Sequence, residues 1–504
     1  MHERVSGHLP EMSFLSAASG HADLLIFDAV ACGAEERSCP PFVDEAHGLA
    51  RGDEKGAEAC STMATDTLPS KAPRPPGSTG LPGVGETLAF VKNPFAFIRE
   101  RRIRYGRVFR TSLLGHSMVI LMGPEPLEAF YDAANVMREG ANPANIQTLF
   151  GGTGVINGLD GDAHAARKHS VSAALSPDAI ATYVPTMTRF VDAAFARWAN
   201  AGEIVWNEEL KRLVIETLGA VLASIESEAD LAALVKRCEA IAAAFIALPI
   251  PLPGTAYTKG VRAKDESIAY YRELVRAHRA GAYDDGLARL LAARNADGTA
   301  IGDVEAAGEL NHLFLAGFIV FGQFAATIVE LTKNQELRER LAAETAAIPD
   351  TPTARDLAGN AYLMQFVDEV RRLTPIVPVV IGKARRAFVV DGFEIPAGWG
   401  VAAAVWHHDR EAASFREPER FDPDRFGERA EHAAHPYAYA PQGSGPPEGH
   451  RCPGFDLTTM FMALFAARLV RGYSWVLPEQ DLTPNWGLVP PVPREGLRAV
   501  VRSR

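Results

Sequence analysis

The residues best suited to chemistry lie in one loop near the C-terminus: Tyr439-Ala440-Pro441-Gln442-Gly443-Ser444-Gly445-Pro446-Pro447-Glu448-Gly449-His450-Arg451-Cys452-Pro453-Gly454. A single cysteine stands among glycines and prolines, just before a helical pattern. Glycines let the backbone turn sharply. Amide N–H groups in such a turn, and at a helix start, can point at one sulfur and favour thiolate over thiol. A thiolate bound to iron donates electron density that assists cleavage of an O–O bond on the opposite side. A cysteine alone is more often a buried, inert side chain. The flanking Gly, Pro and basic residues His450 and Arg451 set Cys452 apart.

The rest of the composition narrows the function classes. The chain has 504 residues, 47% of them hydrophobic, and a formal net charge of -11. That charge opposes a nucleic-acid role, because phosphate binding needs a basic surface. Five cysteines occur, at 32, 39, 60, 238 and 452, without CxxC spacing. A zinc site is therefore not expected, and an odd count fits a reducing compartment better than a disulfide scaffold. No run of 18 or more apolar residues marks a transmembrane helix, and the N-terminus lacks the order of a signal peptide. The expectation is a cytoplasmic protein.

Elements must carry the loop. Residues 1–72 are mixed in charge, without sustained period, and are expected to be a disordered extension. Met63 is a second candidate start. Pro73-Arg74-Pro75-Pro76-Gly77 opens the domain expected over 73–504. A helix from Leu88 precedes a hairpin over Val108–Met122, with Gly115-His116 as its turn. Apolar residues recurring at three and four predict helices over Thr188–Ala199, Leu210–Ser224, Leu231–Ile246 and Glu305–Thr332, and over 362–374. After Pro375, short strands are expected at Val377–Ile381, Ala387–Val390 and Phe393–Pro396, with an Asp391-Gly392 turn. A last helix runs from Phe455 to Arg471. The fold class is mainly α with a small segregated β portion.

The loop resembles the haem-binding signature of the cytochromes P450. Pro441-Gln442-Gly443-x-Gly445 followed by Gly449-His450-Arg451-Cys452-Pro453-Gly454 is closest to the longer loop of the bacterial fatty-acid peroxygenase branch, with Glu448 where a shorter loop carries glycine. The resemblance implies haem b (iron protoporphyrin) between a distal and a proximal helix, with Cys452 as the metal ligand and His450 and Arg451 beside a propionate. Two more segments support it. Phe366-Val367-Asp368-Glu369-Val370-Arg371-Arg372-Leu373-Thr374-Pro375 reads alone as a helix with an ordinary ion pair three residues apart. With Phe421-Asp422-Pro423-Asp424-Arg425-Phe426 downstream, the resemblance makes Glu369, Arg372 and Arg425 a buried structural triad. Asp160-Gly161-Asp162-Ala163-His164-Ala165-Ala166-Arg167-Lys168 is a basic helix face, commonly just solvated. The resemblance turns His164, Arg167 and Lys168 toward the haem propionates and places Asn157 over the distal haem face.

The reaction side falls to Ala316, Gly317 and Asn157. Ala316-Gly317 allows a helix backbone close to a flat ligand, or simply tight helix packing. In ordinary monooxygenases of the family an acid and an alcohol follow and deliver protons; here Ile319 and Val320 stand there. The peroxygenases instead carry Arg–Pro, the arginine holding a fatty-acid carboxylate; here the aligned residues are Leu315 and Ala316. An unpaired carboxylate would be costly in such a pocket. His312 and Gln323 are the nearest polar candidates, though a lone helix histidine is more often a satisfied core residue. The expected function is oxygen insertion into a small apolar, fatty-acid-like substrate, using hydrogen peroxide or separate redox partner proteins. A reductase-coupled monooxygenase, a lipid-hydroperoxide rearranging or dehydrating enzyme, and a non-enzymatic haem sensor are the alternatives.

Overall fold

The structure, a computed structural model, describes residues 72–504 apart from Thr153. The expected disordered extension therefore lies outside the described residues but for Ala72.

Apolar period fixes the middle of each helix, and capping side chains fix the ends. Pro177–Asn200 starts a full three turns before its expected Thr188 because Ser176 accepts from the Ala179 amide at 3.2 Å. Glu228–Phe245 begins behind Ser227, which accepts from Asp230 N at 3.3 Å. Such caps satisfy amides that the first turn leaves unpaired. The other expected helices appear as Trp206–Ala223, Ala361–Leu373 and Phe455–Gly472.

Strands β1 (Val108–Leu113) and β2 (His116–Leu121) form the expected hairpin. Its turn is Leu114-Gly115, with φ of 51° and 77°, and His116 pairs with Leu113 inside the ladder. Two positive φ values suit the twist of a tight hairpin. Leu114 is held there by its amide donating to Thr87 Oγ1 at 2.7 Å. Next come β3 (Val136–Met137) and β4 (Glu203–Val205). Strand β5 spans Val380–Ala384 rather than Val377–Ile381, since Pro378 has no amide for a ladder. Strands β6 (Phe388–Val390) and β7 (Phe393–Ile395) flank Asp391-Gly392, both at positive φ. Strands β8 (Gly400–Ala403), β9 (Tyr473–Val476) and β10 (Arg498–Ser503) complete the set. The main sheet runs β1-β2-β8-β5-β3, so the N-terminal hairpin lies beside strands from the last third of the chain; the others are β4-β10-β9 and β6-β7.

The core centres on Phe455–Gly472, which is buried on most of its surface. Phe465 packs 4.7 Å from Phe324 and 5.2 Å from Phe195. This rigid helix begins three residues after Cys452 and fixes where the loop ends.

The expected helix Glu305–Thr332 is two helices, Asp303–Phe318 and Phe321–Lys333, broken at Ile319-Val320. Val320 N turns to Gly317 O at 3.1 Å, a tighter three-residue bond. A glycine lies on each side of the break. A Cβ on Gly317 would come within 2.4 Å of Leu218 Cδ1, and one on Gly322 within 2.6 Å of Pro490. Close packing at both glycines accompanies the break in the four-residue hydrogen-bond pattern. Asp303–Lys333 is long and apolar enough to cross a membrane, but 67% of its apolar window is buried inside the protein.

Candidate active site

A cavity of about 1080 Å³ separates the thiolate loop from the helix Asp303–Phe318. On the helix side its wall is His312, Leu315, Ala316 and Ile319. Those residues are three, four and seven apart, one helical face. Facing them are Gln442, Gly443, His450, Arg451, Cys452 and Pro453. Asn157, His164 and Lys168 close one side, and Val377, Val379 and Phe150 are among the apolar residues that complete the wall.

The loop is built from the sulfur outward. Cys452 N donates to Gln442 O at 3.0 Å, closing the turn. Gly443 and Gly445 have φ of 85° and 87°, and a Cβ on Gly443 would come within 3.1 Å of His450 O. Burial pushes the Cys452 thiol up, while the Gly454 amide and the charges of Lys168, Arg371 and Arg451 pull it down. At Cys238 only Arg237 opposes burial, and burial drives that thiol to about 12. Burial outweighs these contributions and the Cys452 thiol stays raised, but of the two described cysteines it is the one with an amide and three cations beside its sulfur.

The basic residues divide. Lys168 Nζ donates to Gly449 O at 3.0 Å and also to Arg451 O, tying the loop to the helix Gly161–Ala174. The rings of His164 and His450 lie 4.2 Å apart. Burial lowers the His164 pKa, and burial with Arg138 and His164 nearby takes His450 down to about 3. Both rings are therefore neutral hydrogen-bonding groups at neutral pH, and the positive charge expected of His450 comes from its neighbours. Arg451 lies 4.7 Å over Phe455 and reaches the cavity. Arg167 does not reach it: its guanidinium pairs with Glu309 at 3.0 Å and donates to Gly154 O. Gly317 does not face the cavity either, its open side being filled by Leu218. Gln323 is buried and donates to Thr374 O at 3.2 Å. Of the distal candidates, the structure brings Ala316, Asn157 and His312 to the cavity wall.

Arg138 is a cavity residue that sequence reasoning missed. It is only 4% exposed, and its Nη1 has no hydrogen-bond partner. The guanidinium lies 4.1 Å over Phe130 and occupies the space left by Gly382, where a Cβ would sit 2.4 Å from Nη1. The slot that admits it comes from Gly382 in β5, some 240 positions away, so no local pattern marks it. Arg371 was likewise unassigned; it donates to Phe455 O and Thr458 Oγ1, both at 2.8 Å, and its charge acts on the Cys452 sulfur.

Glu369, Arg372 and Arg425 meet with at most 1% exposure. Arg372 grips Glu369 through two bonds of 2.7 and 2.9 Å, and Arg425 Nε adds a third at 3.0 Å. Arg372 also donates to Asp409 O and Pro418 O, and Arg425 to Arg416 O, Arg420 O and Glu431. These bonds hold the segment 409–431 that leads into the loop. Glu431, the second acid of the network, was not foreseen because it stands outside both motifs.

A cysteine sulfur flanked by cations, the cavity-lining side chains Arg138, Lys168 and Arg451, and an apolar opposite wall fit a flat macrocycle whose iron would take the sulfur and whose acidic side arms would take the cations. The Cytochrome P450 family profile matches residues 75–492. The chain belongs to the cytochrome P450 family. Haem b is the cofactor of that family, and Cys452 would hold its iron, with Arg138, Lys168 and Arg451 near its carboxylates. When bound, a thiolate-held haem supplies cleavage of an O–O bond and oxygen transfer. Among curated relatives, cytochrome P450 120 of Synechocystis sp. is 29% identical over 457 residues, covering 88% of this chain and 99% of that protein. Taxane 13-alpha-hydroxylase of Taxus cuspidata is 27% identical, covering 85% and 92%. Among solved structures, retinoic acid-bound cyanobacterial CYP120A1 superposes with a TM-score of 0.79 at 27% identity, covering 86% of this P450 and all of that chain. Cytochrome P450SP alpha superposes at 0.73 and 25% identity, over 83% of this chain and 99% of its own. The protein is an oxidoreductase of this family.

Proposed function

We propose that this cytochrome P450 inserts oxygen into an extended apolar molecule, fatty-acid-like in shape, and that hydrogen peroxide can supply the oxygen. The observation that carries the reading is the distal wall. Leu315, Ala316 and Ile319 face Cys452 across the cavity, and Val320 is buried away from it. No acid or alcohol on this stretch can pass protons to bound oxygen, which a reaction starting from O2 requires. Hydrogen peroxide arrives with its O–O bond made and brings both protons that leave as water, so only the shift of one of them between its own oxygens is needed. The likeness of the Cys452 loop to the peroxygenase branch supports the same oxidant. Leu315 offers no charge to a substrate carboxylate, so the substrate's apolar body provides its binding. Asn157, Lys168 and the triad position the loop and cavity around it.

A second reading rests on the relatives. Several are named hydroxylases or monooxygenases of terpenoids, such as taxane 13-alpha-hydroxylase and beta-amyrin 28-monooxygenase. In that reading separate reductase partners supply electrons, and protons reach the oxygen by a route other than Ile319 and Val320. Three incubations decide between them. Purified holoprotein is given a long-chain fatty acid or alkane with hydrogen peroxide, the same substrate with NADPH and surrogate reductases, and a lipid hydroperoxide alone. Hydroxylated product with peroxide is the expected result. Product only with the reductases overturns the peroxide reading, and turnover only of the hydroperoxide replaces oxygen insertion by rearrangement.

A further inference from the structure

One polar group interrupts the apolar distal wall, and its surroundings specify what it can bind. His312 lies one turn before Ala316 on the cavity face of Asp303–Phe318. Its ring stands edge-on to Phe150, 5.4 Å between centroids. The Nδ1 atom is shut off from solvent and has no hydrogen-bond partner. Yet 17% of the side chain is accessible, so the accessible edge is the other one, carrying Nε2 into the cavity.

Behind the ring is Glu309, with no exposed surface. Its Oε1 accepts from Ile156 N at 2.8 Å and from Arg167 at 3.0 Å. Its Oε2 is buried without a hydrogen bond and lies 3.5 Å from His312 Nδ1. Two buried polar atoms facing each other, each without another partner, are satisfied together by a proton on Nδ1. The charge of Glu309 is already matched by Arg167. A proton fixed on Nδ1 leaves Nε2 with a lone pair, a hydrogen-bond acceptor aimed at the substrate space.

We infer that His312 is a specificity-determining residue that accepts a hydrogen bond from a hydroxyl group of the substrate, with Glu309 and Arg167 as positioning residues. The inference rests on the proposed apolar-substrate reading and narrows it: the preferred ligand is an apolar molecule bearing an alcohol, rather than a carboxylate or a plain hydrocarbon. Apolar burial supplies most of the affinity, and the acceptor chooses which molecule and which end sits against the distal helix.

Binding, not turnover, tests it. Equilibrium dialysis of the haem-loaded protein measures Kd for n-decane, 1-decanol and decanoate. Wild type is expected to bind 1-decanol about 5–10-fold more tightly than n-decane, the effect of one neutral hydrogen bond. His312→Phe keeps the aromatic bulk and loses the acceptor, so the preference for 1-decanol over n-decane should vanish or reverse, because the alcohol is then buried unpaired. His312→Gln supplies a carbonyl oxygen and should restore part of the preference. A preference for 1-decanol that survives in His312→Phe overturns the inference, as does none in wild type. Tightest binding by decanoate also overturns it, because that ligand selects a charged imidazolium. If n-decane does not bind at all, the apolar-substrate reading itself fails; if it binds without alcohol preference, only the role of His312 does.

Discussion

Glu369 has no exposed surface, yet both its carboxylate oxygens have charged donors, and Asp422 N adds a bond of 2.7 Å to Oε1. A buried charge so enclosed is costly only when a partner is taken away. Glu369→Gln leaves two buried guanidinium groups facing a neutral amide, and a loss of about 3–5 kcal/mol in chemical denaturation is expected. His408 gives a second residue-scale prediction. Its Nδ1 accepts from Gly123 N at 3.2 Å in a fully buried site, and burial holds its pKa down to about 4. In the unfolded chain it titrates near its usual value of about 6.5. Below that pH the unfolded chain takes a proton that the folded one refuses, so His408 lowers stability as pH falls from about 6.5 to about 4. Neighbouring Asp409, pushed up to about 8 by burial, acts in the opposite sense as pH rises. The difference between wild type and His408→Asn isolates the histidine. Relative to the variant, wild type should lose about 1.4 kcal/mol per pH unit between about pH 6.5 and 4. Parallel curves would show that the ring is not held neutral.

Among the elements, the break at Ile319-Val320 ends the helix that forms the distal wall. Ile319 closes that wall after His312, Leu315 and Ala316, and Val320 is buried. Apolar period could not show it, because both helical segments and the break are apolar and the period runs through unbroken. Only the packing of Gly317 on Leu218 and Gly322 on Pro490 reveals it. Those neighbours differ in how they can respond. Leu218 can rotate its side chain, whereas the Pro490 ring cannot. Gly322→Ala should therefore destabilise by about 1–3 kcal/mol, more than Gly317→Ala, as read by thermal melting. Equal and negligible effects would remove packing as the cause of the break. Helix starts were misplaced for a similar reason: Ser176 lies outside the apolar repeat, so the pattern marks Thr188 and misses the first turns. The Asp391-Gly392 turn was legible because only a few residue types adopt positive φ.

In the whole molecule, what could be read ahead was what lies close in sequence. The Cys452 loop, the last helix and the Glu369–Arg372 pair each occupy one short segment. Arg138 in the slot of Gly382, Arg167 turned to Glu309, and Glu431 closing the triad depend on contacts between distant segments, and no pattern within a segment encodes them. Charge around the site follows the same rule, since Lys168, Arg371 and Arg451 reach the sulfur from three different parts of the chain. The sulfur of Cys452 is the point on which the haem, the oxidant and the substrate all depend. The most direct measurement is the optical spectrum of the reduced, carbon-monoxide-bound protein, for wild type and Cys452→Ser. Wild type should bind haem and show the red-shifted band of a thiolate-ligated iron, and Cys452→Ser should lose that band, the haem, or both. A purified wild type without porphyrin, or a serine variant with haem and an unaltered spectrum, would contradict the account.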